Sequence, residues 1–572
     1  MTKANRTTAK RTLKRFVRKE DGNITTFSIL LFSLMIMCGG LAVDLMRYEH
    51  TRTALQQTLD RCTLASAALK QTLDRNAVCR DYAAKAGLSI PASSVTVTQG
   101  LNSAQVQVVA TLEQKTIFAG MLGIPKFDVP AQSSAMQAVT NVEIALVLDV
   151  SGSMIVPATK LSSMKTAAKS FITTVLGNDT ENRTSIAIVP YNGQVNLGAV
   201  LSAKYNMTDQ HGLGATNPAA ANTHCVDLPP AVYATNTLSL TASMPQSAFA
   251  DLHSGANTPN QWQATDHANA VPVSGNRWCP SEATNIVRLP TNVLATLHSQ
   301  IDGLVGIGAT SINAGMKWGM AMLDPANRNM FTDFRTAGQI PAAFVNRPFD
   351  YTVTGDPTPA AMKVIVLMTD GEHFPEKRIN PAFRSGPSGI FRSSDGVLSI
   401  RHTAGRPTSA GTKEYFVPSA CSAPANNNTA NVPVATCDPW FAAKAGVGPH
   451  TELTWPQVFE KNRISYVAWQ FYARALGTDQ ANRTTVYNDT LLAMRTITDA
   501  ANMDVQLQQV CDMARTRNVT VYGIAFEAPA NGQTQIRNCA TSLTHYYEAS
   551  SLNVTTAFQS IATRISQLRL TQ

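Results

Sequence analysis

The chain has 572 residues, 44% of them hydrophobic and 15% charged, a globular balance with length for two or three domains and no sign of a wholly disordered chain. Its net charge of +9 does not mark a nucleic-acid binder. Eight Lys/Arg crowd into residues 1–22, leaving 39 basic against 36 acidic residues elsewhere, and no basic patch interleaved with aromatics stands out.

Residues 1–22 form a basic tail, and residues 23–43 a membrane-crossing helix, since Ile24 to Val43 carries no charge and is long enough to cross a bilayer as one helix. Basic residues before it and Asp44 after it orient the amino terminus to the cytoplasm. The run is long for a signal-peptide core and lacks a small-x-small cleavage site, which favours a retained anchor. Residues 44–92 read as a helical stalk. Leu45, Tyr48, Leu55, Leu59, Cys62, Leu69 and Leu73 recur at helical spacing, a stripe that packs either on the chain's own next domain or on another anchored subunit. Residues 93–140 alternate with period two around Ser94–Thr98 and Ala104–Leu112, as half-exposed strands do. Phe118–Gly123 reads as an apolar link and Phe127–Ala138 as a third strand.

From residue 141 to 572 strands and helices alternate: strand Glu143–Asp149, helix Leu161–Leu176, strand Thr184–Tyr191, helices around Thr310, strand Met362–Thr369, helix Ala500–Arg515, strand Val519–Phe526, a short strand near His545–Glu548 and a closing helix Thr555–Leu568. That order implies an α/β fold, a doubly wound and mainly parallel sheet covered on both faces. Two segments break the rhythm, about 192–283 and about 373–489. Both far exceed the usual connections of about 2–6 residues in such folds.

The informative chemistry lies at the strand ends. Residues 144–153 read Ile-Ala-Leu-Val-Leu-Asp-Val-Ser-Gly-Ser, a buried-strand run closing on Asp149, Ser151 and Ser153. Open α/β sheets bind ligands beyond the carboxyl ends of their strands. Thr310, before the helical stretch Ile312–Leu323, adds a hydroxyl, although such a residue is ordinarily only a helix cap. A second apolar strand ends at Asp370 and Gly371. Hard oxygen donors of this kind suit Mg²⁺.

The set Asp149-x-Ser151-x-Ser153, Thr310 and Asp370 resembles the metal-ion-dependent adhesion site of the von Willebrand factor type A family. The resemblance implies that the first four residues hold Mg²⁺ (or Mn²⁺), that Asp370 helps through water, and that a protein partner's carboxylate completes the metal shell. The front end, a basic tail, Glu20-Asp-Gly-Asn, an apolar helix ending Gly40-Leu-Ala-Val-Asp44 and a small β unit, resembles TadG-like proteins of tight-adherence (Flp) pilus assembly, which carry a TadE-like anchor. The ending Ile565-Ser-Gln-Leu-Arg-Leu-Thr is similar to that family's carboxyl terminus. Prepilins carry Glu five residues beyond the cleaved Gly; here Phe27 stands there after Gly22, so peptidase processing is not expected. These resemblances imply a single-pass inner-membrane protein with a periplasmic domain, engaged in pilus assembly or adhesion, with other pilus-assembly subunits as stalk partners.

Of nine cysteines, Cys38 lies in the apolar stretch. Eight on a periplasmic side imply disulfides, and pairing of neighbours gives Cys225–Cys279, Cys421–Cys437 and Cys511–Cys539. Cys62–Cys79 requires a bend, because 17 residues of continuous helix rise roughly 25 Å. Stapled in this way, the insertions would be folded and functional. Glu372 and His373 can be drawn as an acid–base pair beside a metal, which would make a metal-dependent hydrolase. No His-Glu-x-x-His, Gly-x-Ser-x-Gly or phosphate-binding glycine loop accompanies them, so a non-enzymatic protein is expected. A third possibility is an anchored envelope-binding protein unrelated to pili.

Overall fold

The computed structural model describes residues 21–68, 71, 73–99, 103–138, 141–177, 179, 182–252, 274–352, 361–421 and 438–571. They divide into two units, one reaching to Val139 and one spanning Thr140–Thr571.

In the first unit, helix α1 runs unbroken over Asp21–Ala67, roughly 70 Å at 1.5 Å per residue. Its side chains from Ile24 to Gly39 are all exposed. Beyond it one face turns inward. Leu55, Leu59 and Cys62 are buried with Val95, Val106 and Val108. The middle of the helical stripe is therefore covered by the chain's own β unit. Leu45 and Leu73 are exposed, and Leu69 lies outside the described residues. After a bend, helix α2 (Arg75–Lys85) starts at Asp74, whose carboxylate accepts the Asn76 and Ala77 N–H groups, satisfying orphan donors of the first turn. The bend permits the Cys62–Cys79 disulfide. Strands β1 (Val95–Gln99), β2 (Ser103–Lys115) and β3 (Lys126–Ala138) form an antiparallel sheet in that order. Ala104, Val106, Val108 and Ala110 are buried while the residues between them are exposed.

The second unit is mixed α/β. Its main sheet contains β4 (Asn141–Asp149), β5 (Thr184–Tyr191), β6 (Arg288–Thr291), β7 (Ala361–Thr369), β8 (Thr520–Phe526) and β9 (Tyr546–Ala549). The spatial order is β9-β8-β7-β4-β5-β6. All neighbours are parallel except β6, which pairs antiparallel with β5. β4 and β5 are buried throughout, because helices cover both faces. Helices Thr159–Gly177, Leu294–Asp302 and Val554–Thr571 pack on one side through Phe171, Leu297 and Phe558. Helices Ile312–Leu323, Ala500–Thr516 and Ala530–Cys539 pack on the other through Met316, Leu507 and Ile536.

The two insertions are not separate decorations. The second builds a five-stranded antiparallel sheet from Trp440–Phe441, Tyr415–Phe416, Leu398–Arg401, Pro387–Ser393 and His450–Thr454. It also ends later than expected: strand Arg495–Thr498 returns to pair with Glu376–Ile379, which puts its close at Thr498 instead of Asp489. Its core takes in Ala250, Leu252 and Trp278 from the first insertion, so the two fold as one module. Buried ion pairs join them, Arg384 to Asp227 at 2.5 Å and Arg463 to Asp251 at 3.3 Å. The predicted pairs Cys225–Cys279 and Cys511–Cys539 are formed. Cys421 is disulfide-bonded, while Cys437 lies outside the described residues.

Candidate functional site

β4, β5 and β7 end at one edge of the sheet, where Asp149 stands in register with Tyr191, and Leu148 with Met368. Asp149 is fully buried. One carboxylate oxygen accepts the Ser151 N–H at 2.8 Å, and the other accepts the Thr369 hydroxyl at 2.8 Å. The Ser151 and Ser153 hydroxyls lie 2.9 Å apart, and Ser153 Oγ donates to Asp370 Oδ1 at 2.6 Å. An unbroken chain of oxygens thus runs from Ser151 through Ser153 to Asp370.

Thr310 joins the group from a loop. The Gly152 N–H donates to Gly308 O and the Phe374 N–H to Thr310 O, each at 2.9 Å, which ties that loop to both strand ends. Gly308 has φ +89°, the left-handed region that glycine adopts without strain. A Cβ placed on Gly371 would lie 3.5 Å from Thr310 Oγ1 and 3.8 Å from Ser153 Oγ, so the two hydroxyls share one neighbourhood. All five residues singled out in the sequence are brought together.

The electrostatics are those of an anionic nest only partly compensated by one cation. Burial pushes the Asp149 carboxyl up to about 7, the negative charge of Asp370 adds to the rise, and the Ser151 and Thr369 hydrogen bonds oppose it. Sequence reasoning missed Lys160. Its ammonium sits 3.1 Å from Asp370 Oδ2 and 3.9 Å from Glu527 Oε2, with the side chain only 11% exposed. A signal for it existed, because Lys160 falls in the first turn of helix Thr159–Gly177, where the helix dipole disfavours a cation unless anions lie close by. Glu527 was missed too. It follows β8 and is held by the Ser551 N–H and hydroxyl, which lower its carboxyl below the usual range.

The Lys160 ammonium therefore faces two carboxylates, Asp370 and Glu527. Among the described residues no group of three or more His, Cys, Asp or Glu has metal-ligating geometry. The donor set here is instead two carboxylates and three hydroxyls. Such an all-oxygen set with surplus negative charge fits a hard divalent cation such as Mg²⁺ or Mn²⁺.

The acid–base pair drawn from the sequence is not assembled. Glu372 is exposed, whereas His373 is buried with both ring nitrogens engaged. Its Nδ1 meets Asp504 Oδ1 at 2.7 Å, and its Nε2 accepts the Asn313 N–H at 3.0 Å. That pattern is a neutral imidazole pinning a loop to two helices.

Residues 22–69 match the Tad family model, Flp pilus-assembly TadE/G-like, so the amino-terminal helix is TadE/G-like. No curated protein matches the sequence. Among solved structures, the chain is similar to the vWF domain of the type V pili tip protein Mfa5 from Porphyromonas gingivalis. There the identity is 13% and the TM-score 0.29, covering 75% of this chain and 96% of that one. It is also similar to the pilus adhesin SpaC from Lactobacillus rhamnosus GG, at 10% identity and TM-score 0.29, covering 82% of this chain and 34% of that one. A von Willebrand factor type A structure from Catenulispora acidiphila is similar at 13% identity and TM-score 0.15, covering 49% and 33%.

Proposed function

We propose that the protein is a membrane-anchored, periplasmic component of Flp/Tad pilus assembly or adhesion, and that it captures a protein partner through a metal-ion-dependent adhesion site on a von Willebrand factor type A-like domain. One observation carries the reading: five oxygen-bearing side chains from three separate loops converge at the carboxyl edge of the sheet. Asp149, Ser151, Ser153 and Thr310 would hold Mg²⁺ or Mn²⁺, with Asp370 supporting them. When bound, the cation supplies a Lewis-acidic position for an acidic side chain of the partner. The protein's own part is to keep the serine hydroxyls aligned through Asp370 and to hold Thr310 in place through the Gly152 and Phe374 amides. The pilus assignment draws on the match of residues 22–69. The membrane assignment draws on the apolar stretch of α1, whose mean hydropathy is 2.2 over its best window.

Calorimetric titration of Mg²⁺ into the Thr140–Thr571 unit tests the site. One binding event is expected, and Asp149→Ala should abolish it; equal affinity in the variant overturns the metal assignment. Pull-down of pilus and envelope proteins by the same unit should be lost with a chelator. The full chain should resist extraction by alkaline wash, and its carboxyl-terminal unit should become protease-accessible only once the outer membrane is opened.

A further inference from the structure

We propose that the tip of the β2–β3 hairpin, Ile117–Ile124, is a second membrane contact that dips into the acyl layer beside the exit of α1. This rests on the reading of Ile24–Val43 as the membrane-crossing segment. The sequence marked the tip only as an apolar link, and the function assigned above makes no use of it.

The tip is fastened to the helix at the membrane edge. A Cβ on Gly40 would lie 2.3 Å from Phe118 Cγ, so the ring lies directly against a bare stretch of helix backbone. One turn further on, the buried Asp44 carboxylate accepts three consecutive tip amides: Ile117 at 2.9 Å, Phe118 at 2.7 Å and Ala119 at 2.8 Å. Gly40 lies three residues inside the end of the apolar run, about 5 Å along the axis. Phe118 is therefore held at the level of the last apolar turn, inside the hydrophobic zone if Val43 marks its boundary.

What the tip shows outward is apolar and uncovered. Met121 is 85% exposed and Ile117 58%, with Leu122 and Ile124 nearly half exposed. Isolated exposed apolar residues need no explanation, but a contiguous set continuing the exposed apolar side of α1 does. Lipid is the occupant consistent with that continuity.

The backbone is equipped for such a place. Irregular chain survives at membrane depth only where its polar groups are satisfied by protein. Besides the three amides on Asp44, Met121 N–H donates to Phe118 O, Gly123 N–H to Gly120 O, Ile124 N–H to Ala119 O and Thr116 N–H to Pro125 O. Thr116 Oγ1 also donates to Ile124 O at 2.6 Å.

The charges stop where the apolar tip begins. Lys115 and Lys126 face each other as the last pair of the hairpin stem, and no charged residue stands between them in sequence. Arg47 lies on the adjoining turn of α1, 3.8 Å from Asp44. Long cationic side chains at an interface reach the headgroups while their stems stay apolar. Lys126 is paired with Glu113 on the same stem, so the collar carries charges of both signs; apolar tip, satisfied backbone and charged collar together describe a short interfacial insertion.

The test uses the full chain with Cys38→Ser, reconstituted into phosphatidylethanolamine–phosphatidylglycerol vesicles, with an environment-sensitive fluorophore on one introduced cysteine at a time. Met121→Cys reports the tip, Leu30→Cys the helix and Gln107→Cys an exposed strand position. Labels at 121 and 30 should be blue-shifted, quenched by doxyl-labelled acyl chains and shielded from aqueous iodide; the label at 107 should behave oppositely. Iodide quenching at 121 equal to that at 107, with 30 still reading acyl chain, overturns the insertion and leaves the anchor intact. Shielding at 121 from both quenchers means that protein covers the tip, which also overturns it. A water-exposed label at 30 defeats the anchor, and this proposal with it.

Discussion

Replacing Asp149 by Asn should make the metal-free protein more stable and the metal-loaded protein no better. The carboxyl is fully buried, and burial pushes it up to about 7, well above the usual carboxylate range. A raised acid pKa means that the native state holds its proton longer than the unfolded chain. Stability is then greatest below the unfolded value and is lost as pH climbs towards about 7. At 1.36 kcal/mol per unit the loss reaches about 4 kcal/mol as an upper bound. An Asn side-chain oxygen can still accept the Ser151 N–H, and the Thr369 hydroxyl can rotate to accept from the amide, so packing is retained. Thermal unfolding of the Thr140–Thr571 unit in chelator should show Asp149→Asn above the parent at about pH 8 and close to it at acid pH. Magnesium at a thousand times its Kd should then raise the parent by about 4 kcal/mol and leave the variant unmoved, closing the gap. If the variant unfolds below the parent in chelator at alkaline pH, Asp149 is not a strained anion. An equal gain from Mg²⁺ in both proteins would remove it from the metal site.

Three further outcomes follow from other residues. Lys160→Gln takes away the ammonium that competes with a cation for Asp370: calorimetry should show Mg²⁺ bound about tenfold more tightly, while the metal-free melt falls by about 3 kcal/mol because a buried partner is left behind. His373→Ala should cost about 2 kcal/mol, since Asp504 and the Asn313 N–H lose their partner, with Mg²⁺ affinity unchanged by calorimetry; and because burial holds the His373 imidazole below its usual value, the parent but not the variant should lose this stability as pH falls through about 6.5. Asp44→Ala strands the amides of Ile117, Phe118 and Ala119, so limited proteolysis of the full chain in detergent should cut within residues 115–126 at a rate the parent does not show.

The site was legible in the sequence because its parts are local. Asp149, Ser151 and Ser153 occupy alternate positions after one apolar strand, and Asp370 ends another. Such patterns survive without knowledge of the fold. Strand β6 was not legible: Arg288-Leu-Pro-Thr is four residues long with a proline inside, so it carries no period to detect. The Leu55, Leu59 and Cys62 stripe shows the opposite limit. Periodicity located the middle of the buried face, while Leu45 and Leu73 stand exposed, and it could not say which neighbour covers that middle, which is the chain's own strands. Lys160 was passed over because a single lysine early in a helix reads as solvated surface unless dipole and neighbouring anions are considered together.

The insertions resisted sequence reading for a deeper reason, and it bears on how the site would work. Their shared core joins Trp278 and Leu252 to Trp440, Trp455 and Phe459, contacts between residues far apart in the chain that no local pattern announces. Each insertion leaves the sheet at its carboxyl edge, the first after Tyr191 and the second after Asp370. Gln194 and Glu376, placed just inside the two, meet at 2.5 Å. The same core includes Ala309, the residue before Thr310, and the second insertion donates the Phe374 amide to Thr310 itself. The loop carrying the fourth oxygen donor is thus seated in the accessory module as much as in the sheet. A partner that displaced Thr310 would have to disturb aromatic packing in that module, whereas one that left Thr310 in place would not. On the proposed reading, the module's tie to Thr310 would favour partners that accept the donors as they stand, setting specificity by exclusion as well as by contact.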